Sequence, residues 1–363
     1  MVSLGLKEVF NMPDWKKSMQ QTFEYYIVDP GTWRDVKQIN TVKSSTINRD
    51  LETDTLGSAT IDVTNVLGES YVRTYLITIQ NGIREKHPLG TYLVQTPSSN
   101  HDGKVRNVSM DAYTPLLELK ENPPPIGYSI FKGSNVMDNA YQIVSDHVRA
   151  PVVRASTNDK LYKDFVANTD DTWITFTRDL ISNAKKEFAL DELGRILFAP
   201  IQDIKTLQPV WEYDDSNSSI LYSDVTIDHD LFDVPNVVEV IYSSGNTTYY
   251  SRVVNDDENS PVSTIRRGRE KLHRVINPEM PSMPSQEQID LYAKDLLKAL
   301  SKVEYKIKYT HAYCPVRLGD CVRLTYAKAE LNGVKAKVIS QSIKCEPGCP
   351  VTETALCTVE LWG

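Results

Sequence analysis

One phrase occurs twice in this chain, once towards each end. His87-Pro88-Leu89-Gly90-Thr91-Tyr92-Leu93-Val94 reads as a polar turn, a proline, an apolar residue, a glycine and then an alternating strand. His311-Ala312-Tyr313-Cys314-Pro315-Val316-Arg317-Leu318-Gly319-Asp320-Cys321-Val322-Arg323-Leu324 reads the same way. Proline fixes φ and has no backbone donor, so it belongs outside a paired strand. The glycine that follows permits a tight turn, after which period-two alternation resumes. Such chemistry suits a turn leading into a β-barrel strand, and its double use predicts two related β-domains in one chain. The alternative is that turn-then-strand phrases recur in any β-rich protein.

Length and composition narrow the field. A chain of 363 residues has room for two or three domains. Nineteen Tyr and nineteen Pro favour pleated, half-buried surfaces with many turns and edges. A formal charge of -8 argues against a general nucleic-acid binder, and no sequence-specific nucleic-acid partner is expected. No stretch reaches the ~18 apolar residues of a membrane span, so no membrane insertion is expected. Met1 to Glu8 has neither a basic region nor an apolar core, so a signal peptide is not expected. Five cysteines, four of them between Cys314 and Cys349, are odd in number and clustered. That pattern points to synthesis in a reducing compartment.

Periodicity divides the chain. Strands are expected at 23–28, 59–64, 71–79, 92–95 and 105–110, with Asn81-Gly82 as a hairpin turn. Glu121-Asn122-Pro123-Pro124-Pro125 is a stiff boundary. After it, Val136, Met137, Ala140, Ile143, Val144 and Val148 share a helical stripe with Ser134 as the N-cap. A second helix opens at Asp171, with Trp173, Phe176, Leu180, Ile181, Ala184 and Phe188 on its buried side, followed by a hairpin around Glu192-Leu193-Gly194. Strands return at 220–222, 225–228 and 236–242, the last turning at Ser243 to Asn246 into Thr247-Thr248-Tyr249-Tyr250. Ser285 to Gln288 forms a capping box for one further helix, faced by Ile289, Tyr292, Ala293, Leu296, Leu297 and Leu300. The expected fold is mainly β with α+β insertions: two similar β-barrel domains, a small α+β domain and one further inserted helix. Domains are expected at 1–120 (first barrel), 121–205 (α+β middle domain) and 206–363 (second barrel with an inserted hairpin and helix at about 236–301).

The chain carries few signatures of chemistry. There is no nucleophile elbow, no phosphate-binding glycine loop and no paired-histidine zinc helix. The acidic cluster Asp224, Asp228, Asp230 and Asp233 with His229 lacks the glycine and glutamate of a calcium loop and reads as solvated turn carboxylates. Cys314, Cys321, Cys345 and Cys349, with His311 nearby, are the candidate ligands for zinc or an iron–sulfur cluster. Against that stands the absence of a Cys-x-x-Cys knuckle, so a disulfide or free thiols are the alternatives and no cofactor is expected. Arg266 to Lys271 reads as a solvated basic loop, with contact to an acidic partner as its alternative.

Ser45 to Leu51 followed by Gly57 to Val63 resembles the first barrel of bacteriophage tail hub proteins. Pro88 to Val94 is similar to that barrel's next strand, and Leu193 to Pro200 to the hairpin closing the middle domain. Asp233 to Val240 resembles the opening of the second half; His311 to Leu324 with Gly333 to Ile343 resembles the last barrel. The resemblance is scattered from about residue 40 to 363, and the order and spacing of its pieces carry it. It implies a non-enzymatic baseplate or tail-tip hub of a phage or phage-derived contractile injection machine. Three subunits with two barrels each would form a pseudo-sixfold ring, adapting a hexameric tail tube to a threefold spike. Implied partners are two further copies, the tail tube protein, the central spike or tip protein, other baseplate proteins and the tape-measure protein. The implied location is the virion, after assembly in the host cytoplasm. The acidic balance suits a conduit that should not hold DNA. Larger members carry a peptidoglycan hydrolase or fibre after the hub; with the sequence ending at Leu361-Trp362-Gly363, neither is expected here. The rival functions are a tail-associated peptidoglycan hydrolase and a glycan-binding β-sandwich protein.

Overall fold

The computed structural model describes residues 13–101, 106–229, 231, 233–244, 247–278 and 284–362. It divides into two compact units, Met1–Asp224 with Tyr309–Thr354, and Val225–Lys308 with Ala355–Gly363. The chain is mainly β with a few helical insertions.

In the first unit the chain lays down β1 (Gln20–Val28), β2 (Asp35–Gln38), β3 (Val42–Asp50), β4 (Gly57–Val63), β5 (Ser70–Gln80), β6 (Ile83–His101) and β7 (Arg106–Tyr113). The β4 segment Gly57-Ser58-Ala59-Thr60-Ile61-Asp62-Val63 buries every second residue, as its alternation requires. Asn81 and Gly82 both take positive φ (53° and 78°), so the β5–β6 hairpin turns as its sequence predicts. In space the strands run β3-β4-β7-β6-β5-β1-β2. The Tyr25 hydroxyl on β1 lies 2.9 Å from the buried Ser45 hydroxyl on β3. Those strands stand far apart in the order, so the sheet curls until they meet.

Next come α1 (Leu117–Lys120), β8 (Ser129–Ile130), α2 (Val136–His147), β9 (Phe165–Val166), α3 (Trp173–Ser182), β10 (Lys186–Leu190) and β11 (Ile196–Pro200). Val136, Met137, Ala140, Ile143 and Val144 from α2 pack with Trp173, Phe176, Leu180 and Ile181 from α3 in one core. The caps fall one residue later than the sequence suggests. Asn135 rather than Ser134 caps α2, its side chain accepting from the Asp138 amide. Thr172 caps α3. Ala184 and Phe188 join the core from beyond the helix, Phe188 on β10.

The chain then forms β12 (Trp211–Tyr213), β13 (Leu221–His229), β14 (Val237–Ser244), β15 (Thr247–Val254), α4 (Thr264–Arg267), β16 (Leu272–Ile276), α5 (Gln286–Leu300), β17 (Lys302–Ala312), β18 (Cys321–Tyr326), β19 (Leu331–Lys344) and β20 (Pro350–Glu360). The two segments expected at 220–222 and 225–228 are one strand, β13. Strands β12, β18 and β19 lie in the first unit, while β13, β17 and β20 belong to both units, each by one end.

Within the second unit β14 pairs antiparallel with β15 and parallel with β16. Val238 and Val240 of that sheet pack on Ile289, Ala293 and Leu297 of α5. Ser285 and Gln288 form the expected capping box. The basic run at 266–271 is largely exposed, as expected, but its first two residues close a short helix and two of its cations are held. Ser263 and a left-handed Gly268 (φ 62°) bound α4. The Arg267 guanidinium donates to the carbonyls of Val234, at 2.7 Å, and Leu231. Lys271 meets Asp233 at 3.0 Å.

Candidate functional site: the junction of two repeated sheets

Strand connectivity repeats along the chain. In sequence, β1-β3-β4-β5-β6-β7 is matched by β12-β13-β17-β18-β19-β20. In space the first set runs β1-β5-β6-β7-β4-β3, and the second runs β12-β18-β19-β20-β17-β13, which is the same permutation. One difference lies at the start: β1 is antiparallel to β5, whereas β12 is parallel to β18. The segment carrying β14, β15, β16 and α5 interrupts the second set between β13 and β17. The first set has only the turn between β3 and β4 at that place.

The twice-used phrase does not mark this repeat. Its first copy lies inside β6, where Thr74 pairs with Gly90 and Tyr75 with Pro88, leaving Leu89 as the extra residue of a β-bulge. The second copy is the turn before β18. By connectivity β6 matches β19, whereas β18 matches β5, so the copies occupy different places. Proline lies inside a strand in one copy because a bulge accommodates its missing donor. A better signal was available: Thr46-Ile47-Asn48-Arg49 on β3 and Thr226-Ile227-Asp228-His229 on β13 share a Thr-Ile-Asx-basic pattern, and an Asp follows each in sequence.

The two sets are joined where β3 pairs antiparallel with β19, Thr46 to Asp50 opposite Lys344 to Ser340. β19 serves β18 with residues 331–337 and β3 with 340–344. A continuous chain of polar side chains crosses this join. Arg49 donates to the Leu89 carbonyl at 2.6 Å and to Gln341 Oε1 at 2.9 Å. Gln341 Nε2 donates to Glu353 Oε1 at 2.6 Å. Glu353 Oε2 accepts from Tyr309 at 2.7 Å and Tyr213 at 3.3 Å.

His311 completes the cluster. Its Nε2 is 3.3 Å from Glu353 Oε1, and its Nδ1 is 2.7 Å from the Ala312 carbonyl. Both ring nitrogens thus face acceptors, which suits an imidazolium. Burial disfavours that charge, but the Glu353 carboxylate outweighs it and holds the His311 pKa up at about 10. For Glu353, burial favours the neutral acid, but His311 and the surrounding donors keep it below the ordinary carboxylate range. Tyr213 comes from β12 and His311 from β17, the two flanks of the second strand order, so this sheet also curls round a common interior.

Beside the join is a cavity of about 400 Å³ lined by residues including Leu89–Tyr92, the β10–β11 hairpin and Arg317–Asp320. The hairpin is held by the Leu193 carbonyl, which accepts from Trp33 Nε1 (2.8 Å), Thr91 Oγ1 (2.9 Å) and Arg73 Nη2 (3.1 Å). The carboxylates of Asp191, Glu192 and Glu187 are ion-paired with Arg195, Arg317 and Lys337.

The candidate cysteines do not converge. Cys314 lies 3.2 Å from the Tyr213 hydroxyl, Cys321 opens β18, and Cys345 and Cys349 sit at the β19–β20 turn. All five cysteines are free and buried. Burial pushes the Cys345 thiol up to about 11, so it is protonated at neutral pH. Among the described residues no three His, Cys, Asp or Glu side chains are placed to share a metal ion. In the acidic cluster, Asp224 and Asp228 are exposed on β13, Asp233 pairs with Lys271, and Asp230 lies outside the described residues. No helix among the described residues is long and apolar enough to cross a membrane.

No family model and no curated protein sequence matches the chain. Solved structures do match. A tail protein from Neisseria meningitidis MC58 aligns over 93% of this chain and 96% of its own, with a TM-score of 0.61 at 11% identity. The 43 kDa tail protein of prophage MuSo2 from Shewanella oneidensis aligns over 93% and 98%, with a TM-score of 0.57 at 9% identity. A Francisella PdpA–VgrG complex chain aligns over 96% of this chain and 54% of its own, with a TM-score of 0.54 at 7% identity. This chain therefore has the fold of phage tail proteins.

Proposed function

We propose that this protein is a non-enzymatic structural subunit of a phage tail or related injection machine. Its place is the central baseplate or tail-tip hub. Three copies form a ring of six similar sheets, each curled into a barrel, which seats a hexameric tail tube on one side and a threefold spike or tip on the other. The tail fold supports the setting, and the repeated strand connectivity carries the ring. A chain with two alike docking faces offers six from three copies, so it can match a sixfold and a threefold neighbour at once. The proposed division into a first barrel (1–120), a middle domain (121–205) and a second barrel (206–363) follows from the same reading. Its partners are then tube, spike, other baseplate proteins and the tape-measure protein, and its location is the virion. Mass photometry of the purified protein, alone and mixed with tube protein, tests this. The expected species is three times the 41.1 kDa protomer. A stable dimer that ignores the tube protein overturns the reading.

A further inference from the structure

We propose that copies of this chain join by adding the outer edge of β13 to the outer edge of β6 in a second copy. The register would be the one that joins β3 to β19 within one copy. This rests on the ring reading above and names the surface that closes the ring.

The internal join supplies the template. Thr46-Ile47-Asn48-Arg49-Asp50 on β3 is the donor, and Ser340-Gln341-Ser342-Ile343-Lys344 on β19 is the acceptor. By connectivity the counterpart of β3 is β13, and the counterpart of β19 is β6. Both counterparts repeat the local sequence. Thr226-Ile227-Asp228-His229-Asp230 matches the donor. Gln95-Thr96-Pro97, just past the end of the β5 pairing, matches Gln341-Ser342-Ile343 as a Gln followed by a small hydroxyl residue and an apolar one.

Both counterparts also lack the neighbour that the template has. β13 stands at the end of its sheet, paired only with β17 among the described strands. β6 pairs with β5 only as far as Val94, and among the described strands Gln95 to His101 run on with β7 along one edge alone. Pro97 stands in this overhang, where a missing donor is tolerated. Pro97, Ser98, Thr226 and Asp228 are all exposed. Unpaired strand edges invite another strand, and natural proteins normally block them. Here donor and acceptor are different surfaces of one chain, so their union is heterologous and generates a ring where the rotation closes. Internal and inter-copy joins would then alternate, six in a trimer. Transferring the template register sets Thr226 opposite Ser98 and Asp228 opposite Thr96.

The test uses single-cysteine additions in the full chain, whose own thiols are buried. A Thr226→Cys copy is mixed with a Ser98→Cys copy and oxidised. A disulfide-linked pair is expected in the mixture and in neither copy alone, and a chain carrying both changes should give a covalent three-copy species. Thr53→Cys in the β3–β4 turn replaces Ser98→Cys as the control. Trimers by mass photometry without the linked pair, or equal linkage to Thr53→Cys, overturn the strand pairing and leave the ring reading standing. Monomers at every concentration, with or without tube protein, overturn both.

Discussion

Replacing Glu353 by glutamine tests the polar junction most directly. Glu353 is fully buried and gathers the hydroxyls of Tyr309 and Tyr213, the amide of Gln341 and the ring of His311. An ionised carboxylate is purely an acceptor, so it can satisfy all of them. A glutamine keeps one acceptor oxygen and sets an NH₂ group against donors on the other side, while His311 loses its counter-charge. Breaking one partner out of a buried ion pair costs about 3–5 kcal/mol. Against a typical total of ~5–15 kcal/mol that is a large fraction. Urea unfolding at pH 7 should therefore shift to a clearly lower midpoint with an unchanged slope.

The pH dependence adds a second readout. The His311 pKa is raised in the folded state, from 6.5 to about 10. Its stabilising contribution is therefore complete below 6.5 and lost as pH climbs towards 10. Glu353 works oppositely, its contribution present above its unfolded value of 4.5 and lost as pH falls below it. Parent stability should thus decline between about pH 7 and pH 8.5, below most tyrosine titration, and the variant should be flatter there. A Glu353→Gln protein within ~1 kcal/mol of the parent, with the same alkaline slope, would refute the ion-pair reasoning.

Arg49→Met keeps the stem but removes the donors to Leu89 and Gln341, and should lower stability by about 2–4 kcal/mol in the same assay. Gly194 has φ 76°, and a Cβ there would stand 2.7 Å from Thr91 Cβ. Gly194→Ala should therefore destabilise the β10–β11 hairpin by roughly 2 kcal/mol or more and increase its cleavage by limited proteolysis. With every cysteine buried and free, a thiol reagent should react slowly with the native protein and count five thiols on unfolding. Three thiols would mean a disulfide has formed.

Local elements were readable because their signals are local. Ala59, Ile61 and Val63 alternate towards one buried face, and α5 follows its capping box and its Ile289, Ala293 and Leu297 stripe. Helix ends were less readable, since Ser134 and Asn135 are both capable caps and only backbone geometry chooses between them. Arg266 is the surface charge the sequence suggests, whereas composition does not reveal that Arg267 reaches the carbonyls of Leu231 and Val234. The candidate cysteines were grouped by closeness along the chain, yet strands carry Cys321 and Cys345 apart, since each residue of a strand advances the chain by about 3.3 Å.

Residue order alone carried the β-rich class and the helices, because period, turn residues and caps act within a few positions. The twice-used proline-glycine phrase does not mark the repeat of strand order, since it lies within a bulged strand once and in a turn the other time. The matching permutation of strands, the pairing of Thr46–Asp50 with Ser340–Lys344, and the convergence of Arg49, Gln341, Glu353 and His311 emerged only in three dimensions. Those contacts span up to nearly three hundred positions, and no local preference encodes which distant edge a strand will meet.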